Sequence, residues 1–350
     1  MTDSFQGNQP RSTAALAQWH ALARSEPVLE PGLQIVDPHH HLYDDPMRGN
    51  HYLLPDLLAD VTGGHRVTAT VYVEAYSSMW RARGPEAMRP VGEIEFAAGI
   101  GAVADSGTYG PCRAAAAIVG HADLMLGDAV GEVLDEQVVA GRGRMRGIRY
   151  QLAHDAGVVG RFIKHKSPPG TMADPSFRRG MAQLASRGLH FEAWMLHHQL
   201  RELVALAQAF PETTVVLNHV GAPVGVGEYR ARRAEVIAEW RTGMAALAAL
   251  GNVVVKIGGM GMPVFGFGFE RGARPAHSDE LLPTWQPLIL DCIELFGPRR
   301  CMFESNFPVD RQSCSYLAMW NAFKRATAAL SADERNALFS GTAKRIYRID

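Results

Sequence analysis

The stretch Leu33-Gln34-Ile35-Val36-Asp37-Pro38-His39-His40-His41 places three histidines at the end of an apolar run. Side chains alternate between the two faces of a strand, so the pattern predicts Asp37, His39 and His41 on one face and His40 on the other. Two imidazoles aimed at one point from a strand end suit a divalent metal or a carbonyl oxygen. We therefore interpret His39 and His41 as metal-ligand candidates, the alternative being a hydrophilic start to a surface loop.

Beyond this stretch, short β-branched or apolar runs alternate with longer helical patterns, and nearly every short run ends in a polar residue. The runs are Leu33–Val36, Val67–Ala75, Cys112–Val119, Met145–Leu152, Leu189–Leu196, Thr213–Asn218, Asn252–Ile257 and Arg300–Ser305. Eight strands alternating with helices predict a (β/α)8 TIM barrel, an α/β fold whose strand ends converge on one mouth. The rival, an open doubly wound sheet, needs a glycine-rich phosphate turn where this chain has histidines.

The chain is predicted to form one barrel domain after a short N-terminal extension. Within residues 1–32, Met1–Arg11 is polar and is expected to fray, whereas Ser12–Arg24 has the spacing of an amphipathic helix. Residues 33–350 are expected to form the barrel and its C-terminal helices. No linker or internal repeat divides this part of the sequence.

Composition narrows the class of protein. The 350 residues are 47% hydrophobic and 20% charged, with a formal net charge of -1, which argues against nucleic acid or an anionic membrane as partner. The first thirty residues contain no apolar leader, and no run approaches the roughly eighteen apolar residues of a membrane span. Four scattered cysteines without a Cys-x-x-Cys pair are typical of reduced core residues in a cytoplasmic protein.

Histidines follow two further strands. His219 ends the sixth run, where a polar side chain would reach the barrel mouth. After the fifth run only one of His197 and His198 can point inward. We favour His197 as a third metal-ligand candidate, because His198-Gln199-Leu200 has the pattern of a helix start.

Charged residues inside apolar strands are candidates for substrate contacts. Arg149 and Lys256 could bind a carboxylate, polarise a carbonyl or neutralise a buried glutamate, and Glu74 ends the second run. Trp80 lies in the arginine-rich segment after that run and could supply an aromatic floor, the alternative being a solvated loop. The long irregular segment Gly258–Asp279 is expected to form a lid or substrate wall over the mouth.

Together these motifs resemble the amidohydrolase-2 branch of the amidohydrolase superfamily. The resemblance rests on His39-His40-His41, Asn218-His219-Val220-Gly221, Val255-Lys256-Ile257-Gly258, Met302–Pro308 and Gly341–Tyr347. It is strongest toward lactonase-type members, which open sugar-acid lactones, pyrone dicarboxylates and sulfomuconolactones. It implies a hydrolase with a divalent metal, Zn²⁺ by preference, although some lactonases of this type work without one.

One departure from the family pattern concerns the general base. The family's eighth strand reads Gly-Ser-Asp-Trp-Pro, whereas this chain has Glu304-Ser305-Asn306-Phe307-Pro308. An amide cannot accept a proton near neutral pH, so Asn306 could orient water or substrate but could not be the base. Strand alternation puts Glu304 on the same inward face, and we interpret it as a relocated base or metal ligand. The alternative is a structural glutamate paired with Lys256 or Arg149.

The resemblance implies hydrolysis of a cyclic ester, with an anionic lactone as the expected substrate. His39, His41 and His219, with or without metal, would polarise the carbonyl, and Glu304 would activate water. Arg149 or Lys256 would hold a substrate carboxylate. Two alternatives stay open: a metal-dependent decarboxylase of an aromatic acid, and a non-catalytic barrel that binds a small acid. The sequence also leaves open whether the chain forms a homo-oligomer.

Overall fold

The computed structural model describes residues 5–47, 49–75 and 78–350, and its central element is a parallel β-barrel. In chain order the strands are β1 (Gln34–His40), β2 (Tyr43–Asp45), β3 (Asn50–Tyr52), β4 (Arg66–Val73), β5 (Arg113–Gly120), β6 (Met145–Gln151), β7 (His190–Trp194), β8 (Val215–Leu217), β9 (Val253–Ile257) and β10 (Cys301–Phe303). β1 and β4–β10 form one eight-stranded sheet in sequential order, whereas β2 and β3 form a separate antiparallel hairpin. The TIM barrel predicted from the eight runs is confirmed.

Helices surround the barrel and connect its strands. They are α1 (Thr13–His20), α2 (Leu54–Val61), α3 (Val91–Asp105), α4 (Val130–Ala140), α5 (Pro175–Ala185), α6 (Leu200–Ala209), α7 (Arg233–Ala248), α8 (Ser278–Phe296), α9 (Tyr316–Ala326), α10 (Ala332–Asn336) and α11 (Thr342–Tyr347). Ser331 and Glu334 form a capping box at the start of α10. Within the described ranges, every helix is too short or too polar to cross a membrane.

Alternate residues of the strands belong to two hydrophobic clusters. The barrel interior is filled by small and branched side chains, among them Val36, Val71, Val73, Ala117, Val119, Val216, Val254 and Met302. Their neighbours along the strands pack outward beneath the helices. Tyr347, at the end of α11, joins the interior cluster and donates a hydrogen bond of 2.6 Å to Glu192. It closes the end of the barrel opposite the strand C-termini.

The barrel closes where β1 meets the segment after β10. The backbone N–H of Asn306 donates to the carbonyl of His39 (2.9 Å), and that of His41 donates to the carbonyl of Phe307 (2.8 Å). Asp37 accepts a hydrogen bond from the backbone N–H of Ser305 at 2.9 Å. The first and last strands are therefore tied together at the level of the histidines.

The prediction that Asp37 shares a face with His39 is wrong. The register between β1 and β4 shifts between Asp37 and His40, as at a β-bulge. Asp37 therefore points outward, where it accepts a hydrogen bond from Tyr316 on α9 (3.0 Å), and burial raises its pKa to about 6. His39 points inward, and His40 packs edge-on against Tyr72 on the outer side.

The N-terminal extension contains the predicted helix, which is α1, but its first described residues are packed rather than frayed. Phe5 is 7% exposed and lies edge-on to Phe162, with ring centroids 5.1 Å apart. Gln9 donates to the hydroxyl of Tyr43 on β2 at 2.8 Å. These partners are distant in sequence, so the polar composition of the segment could not reveal them. We call residues 5–9 the N-terminal strap; Met1–Ser4 lie outside the described residues.

Candidate active site

A pocket of about 710 Å³ opens at the C-terminal mouth of the barrel. The strand ends contribute His41, Arg149, Trp194, His219 and Asn306 to its lining. The N-terminal strap, the β2–β3 hairpin and the segment from Val159 to Lys164 form its upper walls. Its size and its mixture of polar and aromatic groups suit a small organic substrate.

Glu304 lies beneath this pocket and contacts two of the predicted histidines. Its Oε1 accepts hydrogen bonds from Nδ1 of His219 (2.7 Å) and from the His219 backbone N–H (3.0 Å). Its Oε2 lies 2.6 Å from Nδ1 of His39. Gly258 makes room for this carboxylate, since a Cβ at that position would collide with the backbone and side chain of Glu304. The predicted alternative, a structural pairing of Glu304 with Lys256 or Arg149, is wrong.

His39 and His41 end β1 and meet as the His-x-His spacing predicts. Their Nε2 atoms are 3.2 Å apart. The Nδ1–H of His41 donates to the carbonyl of Val73 (2.9 Å), and Nδ1 of His39 faces Glu304, so both rings direct Nε2 toward the same space. Burial, with the neighbouring Lys256, lowers the pKa of His39 well below 6.5; burial, with Arg149, does the same for His41.

Arg149 is the predicted cation that reaches the pocket. Its Nε donates to Glu74 (2.7 Å), and a terminal nitrogen lies 3.2 Å from Nε2 of His39. Glu74 is buried behind it and also accepts a hydrogen bond from Gln151 at 3.3 Å. One of the roles predicted for Arg149 was to neutralise a buried glutamate, and its ion pair with Glu74 does this. Glu74 itself is absent from the described pocket lining, so its predicted contact with substrate is not found there.

Lys256 lies below the pocket in a buried ion pair. Its ammonium donates to Glu192 at 2.7 Å and lies 3.4 Å from Nδ1 of His39, and both partners of the ion pair are fully buried. Burial alone would raise the pKa of Glu192, but Lys256 and His190 outweigh it and the pKa lies below its ordinary value. The predicted contact of Lys256 with a substrate carboxylate is not found, because this ammonium is enclosed by protein.

Two other predicted residues lie away from the histidine pair. His197 is directed toward α7, where its Nε2 is 4.0 Å from Glu239, so the structure does not bring it to the proposed metal ligands. Trp80 stacks on His121 with ring centroids 5.8 Å apart and donates to Glu93 at 3.0 Å. It is absent from the described residues that line the pocket. His197 follows a strand and Trp80 lies in a longer segment after one, and in both cases tertiary packing sets the direction of the side chain.

Asp310 is a buried carboxylate that sequence reasoning missed. Its Oδ1 accepts a hydrogen bond from the side-chain amide of Asn306 (2.8 Å), and its Oδ2 accepts one from the backbone N–H of Gly261 (2.7 Å). Burial, with the nearby Glu304, raises the pKa of Asp310 well above 3.8. Asn306 has a left-handed backbone (φ 54°), which asparagine tolerates better than most residues. A carboxylate four residues after Asn306 therefore orients the amide.

The segment Gly258–Asp279 forms a packed wall rather than a free lid. Met262 and Val264 line the pocket, which confirms the predicted position over the mouth. Phe265 is 1% exposed and stacks on Phe267, whose ring in turn contacts Phe269. This aromatic row fixes the segment against the body of the barrel.

The donor groups at the mouth are compatible with a divalent cation. Donor atoms of His39, His219 and Glu304 lie within 4.8 Å of one another, the one such group in the described ranges. Two imidazoles and a carboxylate are ligands that zinc-type cations prefer. Oε2 of Glu304 is buried and lacks an aligned hydrogen bond, so it has a lone pair to offer.

Comparison with known proteins agrees with this arrangement. A family model described as "Amidohydrolase" matches residues 36–349. An uncharacterized protein (y4mH) of Sinorhizobium fredii is 31% identical over 340 residues, covering 91% of this chain and 99% of that protein. An L-fucono-1,5-lactonase of Burkholderia multivorans is 32% identical over 239 residues, which is 67% of this chain and 72% of the relative.

Solved structures show the same fold. An amidohydrolase from Burkholderia multivorans with bound zinc superimposes with a TM-score of 0.67 at 26% identity, covering 91% of this chain and all of the other. A 5-carboxyvanillate decarboxylase from Sphingomonas paucimobilis, at 14% identity and a TM-score of 0.55 over 91% of this chain and 100% of the other, shares the fold alone. The same fold thus occurs in an amidohydrolase and in a decarboxylase.

Proposed function

We propose, from the premise that the chain belongs to the amidohydrolase family, that it hydrolyses the lactone of a sugar acid. The observation that carries the proposal is the position of His219, whose ring lines the pocket while its Nδ1 is held by the buried carboxylate of Glu304. The carboxylate lies within about 3 Å of both histidines, so the site retains a base and is not merely a binding pocket.

His219 is the group we assign to water activation. In the described parts of the chain its Nε2 makes no hydrogen bond, so this nitrogen can take a proton from a water molecule in the pocket. Glu304 holds Nδ1–H, orients the ring and stabilises the imidazolium that forms. Glu304 is absent from the described pocket lining. We therefore revise its predicted role: it acts through His219 instead of on water directly.

The chemical step follows from these positions. The water oxygen adds to the lactone carbonyl carbon while its proton moves to Nε2 of His219, and the carbonyl electron pair becomes an oxyanion. Collapse of this intermediate breaks the bond between the acyl carbon and the ring oxygen. His219 then returns its proton to the leaving alkoxide, so one lactone and one water give one hydroxy acid.

Arg149 and Asn306 are assigned supporting roles. Arg149 presents a terminal nitrogen to the space between His39 and the pocket, where it can donate to the oxyanion. The amide N–H of Asn306 is used by Asp310, so its oxygen is available to orient the attacking water. A divalent cation, for which we propose zinc, would be held by His39 and Glu304, with His41 beside them, and would supply Lewis-acid polarisation of the carbonyl, while His219 keeps its Nε2 for the proton.

The pocket wall supports a polar, hydroxylated substrate. Amide and carboxylate side chains from three segments face the cavity: Gln9, Asp44, Asn50 and Gln151. Trp194, which stands edge-on to His219 at 5.0 Å, offers a face for a sugar ring. Arg161 and Lys164 at the rim are the cations placed to meet a substrate carboxylate if the lactone is anionic. The Burkholderia multivorans relative is an L-fucono-1,5-lactonase, which agrees with this substrate class.

The test is a lactone panel followed by acid release, run beside a panel of aromatic carboxylic acids followed by CO₂ release. We expect a hydroxylated lactone to be opened, and His219→Gln to lower kcat by about 10²- to 10⁴-fold, the range typical of general-base catalysis. Release of CO₂ from an aromatic acid without lactone hydrolysis would replace the proposal with a decarboxylase. Metal content of the purified chain, measured in parallel, identifies any bound cation.

A further inference from the structure

The N-terminal strap roofs the pocket, and we propose that it is a specificity element that recognises adjacent hydroxyl groups of the substrate. This inference rests on the proposed lactone hydrolysis. It assigns to the strap the preference for polyhydroxylated lactones over simple ones. All five strap residues line the cavity: Phe5, Gln6, Gly7, Asn8 and Gln9.

The strap is held by contacts with three other segments. Phe5 packs edge-on to Phe162, and Gly7 passes the same ring so closely that a Cβ would lie 3.3 Å from it. Gly7 also has φ 87°, a left-handed conformation that favours glycine. Asn8 Oδ1 accepts a hydrogen bond from the backbone N–H of Val264 at 3.2 Å. A backbone anchored at these points presents its side chains in a defined direction.

These anchoring bonds determine which atoms remain for a ligand. Asn8 uses its amide oxygen on Val264, which leaves its NH₂ group as a donor. Gln9 uses its NH₂ group on the hydroxyl of Tyr43, which leaves its amide oxygen as an acceptor. Within the described ranges neither remaining atom has a hydrogen-bond partner. The strap therefore offers a donor and an acceptor from consecutive residues.

A hydroxyl group is both donor and acceptor, so a pair of neighbouring hydroxyls can satisfy both amides. Gln6, exposed at the pocket edge, adds a third amide. A lactone without hydroxyls would leave these groups without partners in the closed complex, and sites built on hydrogen bonds discriminate against such analogues. The strap thus favours sugar lactones over simple ones of the same ring size.

The experiment compares two six-membered lactones, D-glucono-1,5-lactone and δ-valerolactone, which differ in their hydroxyl groups. The combined variant Gln6→Ala, Asn8→Ala and Gln9→Ala should lower the ratio of kcat/KM for the hydroxylated over the simple lactone by about tenfold or more. Gln208→Ala, an exposed amide at the opposite end of the barrel, is the matched control and should leave the ratio unchanged. A ratio unchanged in the triple variant, including equal losses on both lactones, overturns the proposal.

Gln9→Met serves if the triple variant folds poorly. The thioether keeps about the same side-chain length and removes the amide oxygen without adding a charge, so the same ratio should fall. If the intact chain opens neither lactone, the proposed hydrolysis fails, and the strap is tested by calorimetric binding of gluconate. Binding weakened about fivefold or more in Gln9→Met then supports recognition of hydroxyls. Equal binding, or no binding by the intact chain, rejects it.

Discussion

Oε1 of Glu304 lies 2.7 Å from Nδ1 of His219. The carboxylate that follows the last strand therefore contacts the His219 ring, and this ring lines the pocket. The family pattern places an aspartate two residues later, where this chain has Asn306. A carboxylate moved back along an inward-facing strand sits deeper in the barrel and no longer faces solvent. In the proposed mechanism, the His219–Glu304 pair supplies a base at the mouth from this buried position.

Glu304→Gln should leave the fold intact and lower kcat by about 10²- to 10⁴-fold, because the amide keeps the volume but cannot support an imidazolium. Activity against the proposed lactones measures the loss, and circular dichroism checks the fold. Glu239→Gln, an exposed carboxylate on α7, is the control. Near-full activity of Glu304→Gln would make Glu304 structural and move the search for the base to Glu74 or another histidine.

Asn306→Asp restores the family residue. We expect it not to increase kcat and to reduce it instead. The new carboxylate would face Asp310, whose pKa is already raised by burial and by Glu304. The exchange variant Asn306→Asp with Asp310→Asn keeps one carboxylate and one amide in the pair, and it should recover activity relative to Asn306→Asp. A large gain from Asn306→Asp alone contradicts this account.

Lys256→Met should destabilise the chain by about 3–5 kcal/mol, because it leaves the buried Glu192 carboxylate without its cation. Urea denaturation followed by fluorescence gives the free energy of unfolding. Arg232→Ala, which breaks an exposed ion pair with Glu235, should have little effect. A Lys256 variant as stable as the parent would show that the ion pair is dispensable.

Acid should weaken the fold partly through Glu192. Its pKa in the folded chain lies below the ordinary 4.5, so the folded carboxyl binds its proton less tightly than the unfolded one. Its contribution to stability is therefore present above pH 4.5 and is lost as the pH falls toward the folded pKa. The double variant Lys256→Met with Glu192→Met should show a shallower fall in unfolding free energy between about pH 5 and pH 3. If the unfolding free energy of the double variant falls with pH as steeply as that of the parent, other carboxylates cause the acid sensitivity.

The barrel and the inward histidines could be predicted because they depend on local periodicity. His39, His41 and His219 each follow a short apolar run, so the sequence pattern predicted their positions at the strand ends that form the mouth. Asp37 is the exception, since a bulge changes alternation without leaving a sequence signal. The fold could therefore be predicted from the sequence pattern, whereas the bulge after Asp37 could not.

The partner of Lys256 could not be predicted, because it is set by a strand far away in sequence. Arg149 pairs with Glu74, a predicted partner, whereas Lys256 pairs with Glu192, a glutamate that lies within an apolar strand. Asp310 and the N-terminal strap were missed for the same reason: each acts through contacts with Asn306 or Phe162 that only the folded chain provides.

The strap and Tyr347 close opposite ends of the same barrel. On the ribosome the strap emerges before any loop that will hold it, and Tyr347 emerges after the last strand. The last partner of the strap is Val264, so the roof of the pocket can be completed well before the support under Glu192, which waits for Tyr347. A nascent chain paused before α11 would hold its strap in place while the opposite end of the barrel still lacked its closing tyrosine.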